Sequence, residues 1–185
     1  MAYKILFSGS FFSGKTTLAN QLKEKGYNVI DEIAGPLIKE ASERGDNGLK
    51  RRREFQLNLL DKQLAFETEA EKNHDLIICD RGVIDIVVYS KYYKHQFDWG
   101  NLLKDHSPYD TIFLCSIEGI NASDKFTPTT LRKREILQEL YFQTLDELDL
   151  SFEILMGDQE ARLSCVQEVI KRWISVEGKR RSVER

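Results

Sequence analysis

The chain is short of cysteine. Only three occur among its 185 residues, Cys79, Cys115 and Cys165, and no two form a CxxC pair. A scattered, odd set excludes a disulfide scaffold, and with His74, His95 and His106 it assembles no zinc-ligand spacing. Cys79 and Cys115 lie inside apolar runs, where a reduced thiol acts as a small hydrophobe. That usage points to a reducing, cytoplasmic setting. Proline is scarce too, at 3, and collagen-like and Pro-rich disordered classes drop out. No apolar run approaches the roughly 18 residues that span a bilayer, and residues 1–7 lack a signal peptide's long apolar core, so no membrane partner is expected. Charge of either sign is not in excess. The 27 Lys+Arg against 30 Asp+Glu leave a formal charge of -3, which argues against a nucleic-acid partner.

What is present is an ordinary globular balance, 41% hydrophobic and 31% charged. At roughly 100–200 residues per domain this is one domain. We place it at residues 1–174, followed by a basic tail, 175–185. Lys179, Arg180, Arg181 and Arg185 outnumber Glu177 and Glu184 there, and the segment reads as a solvated, frayed end.

Short apolar runs alternate with longer amphipathic segments. Strands are predicted at residues 3–8, 27–30, 76–79, 111–115 and 152–155. Helices are predicted at 15–25, 33–43, 50–72, 83–93, 131–147 and 158–174. Residues 119–130 are polar and read as a mobile loop. A βα alternation of this kind makes an α/β protein with a mostly parallel sheet and helices on both faces. Ligands of such sheets bind beyond the carboxyl ends of the strands, so the polar residues after each strand carry the search for chemistry.

The first strand runs into Gly9-Ser10-Phe11-Phe12-Ser13-Gly14-Lys15-Thr16, which satisfies GxxxxGK[ST] at every fixed position. Gly9 and Gly14 allow backbone angles that turn successive N–H groups inward, and the following helix adds its dipole, so the loop suits a nucleotide's phosphates. Lys15 would reach the β- and γ-phosphates of ATP, and the Thr16 hydroxyl would ligate Mg²⁺. Thr17 is a spectator or a further phosphate contact. Phe11 and Phe12 are bulky for this loop, and either packing over it or meeting a substrate is open to them.

The third strand ends in Asp80, which can hold Mg²⁺ directly or through water. Arg81 follows, with a fork suited to a phosphoryl oxygen. The structural alternatives are a helix cap for Asp80 and a surface ion pair for Arg81. Glu32, with Asp31 as rival, ends the second strand and can orient an attacking hydroxyl, or cap the next helix. Lys125, Arg132, Lys133 and Arg134 flank the polar loop. They suggest a cationic lid over residues 119–134, with Arg132 and Arg134 preferred, or a solvated helix start. A further basic run, Lys50 to Arg53, can meet an anionic substrate or simply form a solvated face. Phe55, Tyr89, Tyr92 and Tyr93 can stack a base or fill the core.

With these residues assembled, the chain resembles the P-loop small-molecule kinases. It is most similar to the ribosylnicotinamide-kinase-like group of AAA domains. The resemblance rests on the loop at 9–17, Ile30-Asp31-Glu32, the Gln56 to Gln63 helix, Ile78-Cys79-Asp80-Arg81-Gly82, and Gly157-Asp158 followed by Arg162. It implies the three-layer P-loop NTPase/kinase fold with five strands in the order 2-3-1-4-5. It also implies transfer of the ATP γ-phosphoryl group to a nucleoside or nucleotide hydroxyl, and it places Arg162 near the adenine as a stacking partner. Where that group tends to show Asp-Gly-x-Arg, this chain has Asp124-Lys125-Phe126-Thr127. A switch GTPase would want DxxG after a strand and NKxD, and neither is found. The rival from another class is a regulatory nucleotide-binding protein with no acceptor. Homodimerisation is left open.

Overall fold

A computed structural model describes residues 2–103, 105–106, 108–118 and 126–183, with 177–183 described by their backbone alone. Its centre is a five-stranded, wholly parallel sheet in the order β2-β3-β1-β4-β5. The strands are β1 (Tyr3–Ser8), β2 (Val29–Ile30), β3 (Leu76–Asp80), β4 (Thr111–Cys115) and β5 (Glu153–Leu155). Among the described residues seven helices connect or follow them: α1 (Lys15–Glu24), α2 (Ala34–Glu43), α3 (Arg53–Asn73), α4 (Val83–Tyr92), α5 (Trp99–Leu102), α6 (Pro128–Glu147) and α7 (Gln159–Val183), with a 3-10 turn at Leu49–Arg51. Among the described residues no helix is long and apolar enough to cross a membrane.

The central strands read as continuous apolar runs because both of their faces are covered. Successive side chains of β1 go to opposite sides. Leu6 joins a cluster with Leu59, Val83, Leu137 and Tyr141 from α3, α4 and α6. Ile5 and Phe7 join Leu18 and Leu22 of α1 and Val166 and Ile170 of α7. Leu18 and Leu22 are fully buried, each contributing roughly 2 kcal/mol of apolar transfer. The sheet is thereby held between two helical layers with its carboxyl edge open.

Several boundaries differ from the sequence expectation, each for a local reason. β2 is shortened to two residues because Tyr27 donates its N–H to the Leu22 carbonyl at the end of α1. The helix expected from residue 50 is broken by Arg52, whose backbone is extended, so α3 starts at Arg53. α6 begins three residues earlier than predicted, with Thr127 as its cap accepting from the Thr130 N–H and Pro128 in the first turn. α7 was expected to stop at residue 174 and instead continues to Val183. Its added turns hold Lys, Arg and Glu and no proline, so nothing ends the helix there. α5 escaped notice; four residues carry no periodic signal, and its cap, Asp98 accepting from Asn101 N–H, is local.

Candidate functional site

The carboxyl edge gathers three turns, after β1, after β3 and after β2. The first is the glycine loop. Gly9 and Gly14 take the left-handed angles φ 129° and 82°. A Cβ on Gly9 would also stand 2.9 Å from the Cys115 carbonyl, so both backbone shape and neighbouring strand require glycine. α1 starts at Lys15 directly from Gly14, which aims the positive end of its dipole at the loop. The Lys15 ammonium donates to Gly9 O at 2.9 Å, Ser10 O at 2.7 Å and Ser13 Oγ at 2.9 Å. Burial, with the Arg81 charge beside it, lowers its pKa to about 8. The Ser10 N–H donates to Gln138 Oε1. Thr16 and Thr17 are exposed at the start of α1.

Asp80 ends β3 facing this loop and is 2% exposed. Burial raises its carboxyl pKa, opposed by the Thr16 hydroxyl and the Lys15 and Arg81 charges. Its Oδ1 is buried without a protein hydrogen-bond partner. A half-satisfied buried carboxylate beside a hydroxyl is costly as it stands and fits a hard divalent cation. Among the described residues no group of three or more His, Cys, Asp or Glu could hold a metal by itself. A cation at Thr16 and Asp80 would therefore take its other ligands from phosphate and water.

Arg81 links the first turn to the third. It sits in the left-handed region at φ 73°. Its Nε pairs with Glu32 Oε1 at 3.0 Å, and Nη1 meets Asp85 Oδ1 at 2.7 Å, Tyr141 OH at 3.1 Å and Gly9 O at 3.2 Å. Burial opposes its charge, but Tyr141, Tyr89, Asp85 and Glu32 together raise its pKa. Glu32 thus faces Arg81, and the residue before α2 makes no side-chain cap. Capping is equally not Asp80's role, since Gly82 precedes α4. One of Arg81's carboxylate partners, Asp85, is not a surface acid at 3% exposure, and the other, Glu32, is partly exposed.

Beyond Arg81 lies a cavity of about 220 Å³, with Glu32, Arg81 and Asp85 among its polar groups and Phe11, Phe55, Tyr89 and Tyr93 among its apolar ones. Phe11 therefore belongs to the cavity wall. Phe12 leaves the loop, 56% exposed, and stacks on Phe126 with ring centroids 4.2 Å apart.

The basic residues expected in a lid and against a base are placed differently. Arg134 is buried and braces the loop, Nη2 donating to Phe12 O at 3.0 Å and Ile117 O at 3.2 Å. Arg162 is 1% exposed and donates to Gly157 O, Ser13 O and Ser116 O. Its guanidinium offers no open face for stacking; it clamps the loop to β4 and α7. Arg132 is exposed on α6. Lys125 and the lid segment 119–125 lie outside the described residues.

Two groups of site residues were missed in the sequence. Asp85 accepts from Ser8 Oγ, the Gly82 N–H, Arg81 and Tyr141 OH. Its position three residues after Gly82, in the first turn of α4, was the available signal. Below it, Glu67 is 1% exposed and accepts from Gln63, Tyr109, Lys4 and His106. Tyr109 OH in turn accepts the Val83 N–H, and Gln63 reaches the Arg81 carbonyl. These partners come from distant parts of the chain, and no local pattern announces them.

A parallel sheet in this order, with a GxxxxGK[ST] loop ending β1 and an acid ending β3, is the architecture of the P-loop kinases. More narrowly, the chain belongs to the AAA domain family, which it matches over residues 4–162. It is similar in structure to a deoxyadenosine kinase from M. mycoides solved with the products dCMP and dCDP (17% identity, TM-score 0.64, covering 91% of this chain and 99% of that one). A thymidylate kinase from Ehrlichia chaffeensis is comparable (17%, TM-score 0.62, 91% and 98%). So is the NadR protein in complex with NR (21%, TM-score 0.62), where the match covers 85% of this chain and 46% of that one. No curated protein sequence matches the chain.

Proposed function

We propose that this protein is an ATP-dependent phosphotransferase acting on a nucleoside or nucleotide. The observation that carries the reading is the place of Arg81. One guanidinium bonds the Gly9 carbonyl of the phosphate loop and the Glu32 carboxylate of the adjoining cavity, so donor and acceptor sites share a cation where the transferred group would pass.

The glycine loop and Lys15 bind the triphosphate of ATP. Lys15's donors, now turned onto two loop carbonyls and the Ser13 hydroxyl, turn to phosphate oxygens. Thr16 and Asp80 would hold Mg²⁺, which when bound would supply charge neutralisation at the phosphates. Glu32 orients the acceptor hydroxyl and takes its proton. The acceptor oxygen forms its bond to the γ-phosphorus as the bond to the bridging oxygen of ADP breaks, and ADP leaves with that electron pair. Arg81 meets the negative charge on the equatorial oxygens, and Asp85 and Tyr141 keep it aimed. The likeness to kinases of nucleosides and nucleotides supports this acceptor class, and the largely apolar cavity wall with a few convergent polar groups suits it.

The test is ADP release with and without a panel of nucleosides and nucleotides, with mass spectrometry of the products. Turnover that depends on an acceptor, with a product heavier by one phosphoryl group, is expected. Turnover indifferent to every acceptor, or absent, would make the protein a regulatory nucleotide binder instead.

A further inference from the structure

The cavity beside Arg81 carries an imbalance of charge that the transfer chemistry does not use. It is lined by three cations, Lys50, Arg81 and Lys133, against two carboxylates, Glu32 and Asp85. Both carboxylates are spent on Arg81. The remaining positive charge therefore belongs to Lys50 and Lys133. Lys133 is held among rings, its ammonium 5.0 Å from the centroid of Tyr92, 5.8 Å from Phe11 and 5.9 Å from Tyr93. Those rings fix the ammonium and exclude a cationic ligand from the same place. Burial lowers the Lys133 pKa, and the charged neighbours acting on it are Lys50 and Arg51, both cations. Among the described residues no carboxylate pairs with either lysine. Like charges drawn together at a cavity wall are unfavourable by themselves, and filling the cavity with a neutral molecule would desolvate them further. An anion reverses both terms.

We propose that the acceptor carries a phosphate, and that Lys133 with Lys50 holds it, so that the cavity prefers a nucleoside monophosphate to the neutral nucleoside. This rests on the phosphotransferase reading of the same cavity and narrows its substrate class.

The experiment uses matched pairs, each nucleoside with its own 5′-monophosphate. Binding is measured by calorimetry at two salt concentrations, with the donor loop filled by a non-hydrolysable ATP analogue, and ADP release is followed separately with ATP. The monophosphate should bind about tenfold or more tightly than its nucleoside, with the advantage shrinking as salt rises. Lys133→Met and Lys50→Met should each narrow that ratio, and Lys133→Arg should keep most of it. A nucleoside that binds as well as its monophosphate overturns the proposal. So does a ratio unchanged in both Met variants, or a failure of the monophosphates to bind. If neutral nucleosides are the better substrates by kcat/KM, the transfer reaction stands and the anion site falls. If monophosphates bind through Lys133 and ADP release ignores them, the anion site stands and the transfer reaction falls.

Discussion

Lys15 donates to three oxygens of its own loop yet is only 4% exposed, so its charge is held against a desolvation cost that a bound polyphosphate would offset. Its pKa in the folded protein, about 8, lies below the ordinary 10.5. Between those values the unfolded chain holds the proton that the folded one has lost. This group's contribution to the ligand-free protein's stability therefore rises from pH 8 to 10.5. Nucleotide capture runs the other way. The kcat/KM for ATP should fall as pH rises through about 8, and a flat profile to pH 10 would refute the lysine's role. Lys15→Ala should abolish ADP release and weaken ATP binding at least tenfold or so. Glu32→Gln should lower kcat about 100-fold and leave ATP affinity nearly intact; a lower melting temperature with unchanged rate would make Glu32 only a holder of Arg81. At Gly82 the constraint is space. A Cβ there would lie 2.2 Å from the Tyr109 hydroxyl and 2.9 Å from Leu6 Cδ1. Gly82→Ala should cost about 2–3 kcal/mol in urea unfolding, because Tyr109 must leave Val83 and Glu67.

Among the elements, α3 ties the base of the sheet to the site. Glu67, near its middle, is anchored by Lys4 of β1 at 2.9 Å and by Tyr109 at 2.6 Å. Burial opposes its charge, and bonds from His106, Lys4, Tyr109 and Gln63 more than reverse that, holding the carboxyl at about 2. Its folded pKa is depressed, so its stabilisation is complete above about pH 4.5 and is lost as pH falls toward 2. Glu67→Gln should destabilise by about 3 kcal/mol at neutral pH and flatten the acid limb of stability against pH. An unchanged limb would assign acid sensitivity elsewhere. The same element carries Gln63 to the Arg81 carbonyl, which makes α3 a support for the left-handed turn at Arg81 as well as a wall of the cavity.

For the whole molecule, the two cores divide the labour. The α1–α7 side seats the glycine loop, and the α3–α4–α6 side builds the cavity. The buried contacts of α7 run through Ile170, while Ile174 and Val176 are about half exposed. Ile174→Ala and Val176→Ala should therefore each change stability by no more than about 0.5 kcal/mol. A larger loss in thermal unfolding would mean that these half-exposed side chains carry packing their exposure does not show.

Much of this architecture was legible before any tertiary structure. The apolar runs marked all five strands, and the glycine loop marked the candidate phosphate site, because periodicity and backbone sterics act over a few neighbouring residues. Asp80, Arg81 and Glu32 were candidates by the rule that ligands bind where parallel strands end, and the structure gathers them at that edge. Arg134 and Arg162 were not legible, since a guanidinium in a sequence looks alike whether it faces a ligand or three backbone carbonyls. Tyr109 and Glu67 were invisible for a related reason: their partners are up to 63 residues away in the chain, and only packing brings the donors and acceptors within 3 Å of one another. Local chain chemistry thus determined which residues are candidates to grip a polyphosphate; long-range burial decided which cations brace the loop and which are left facing the cavity.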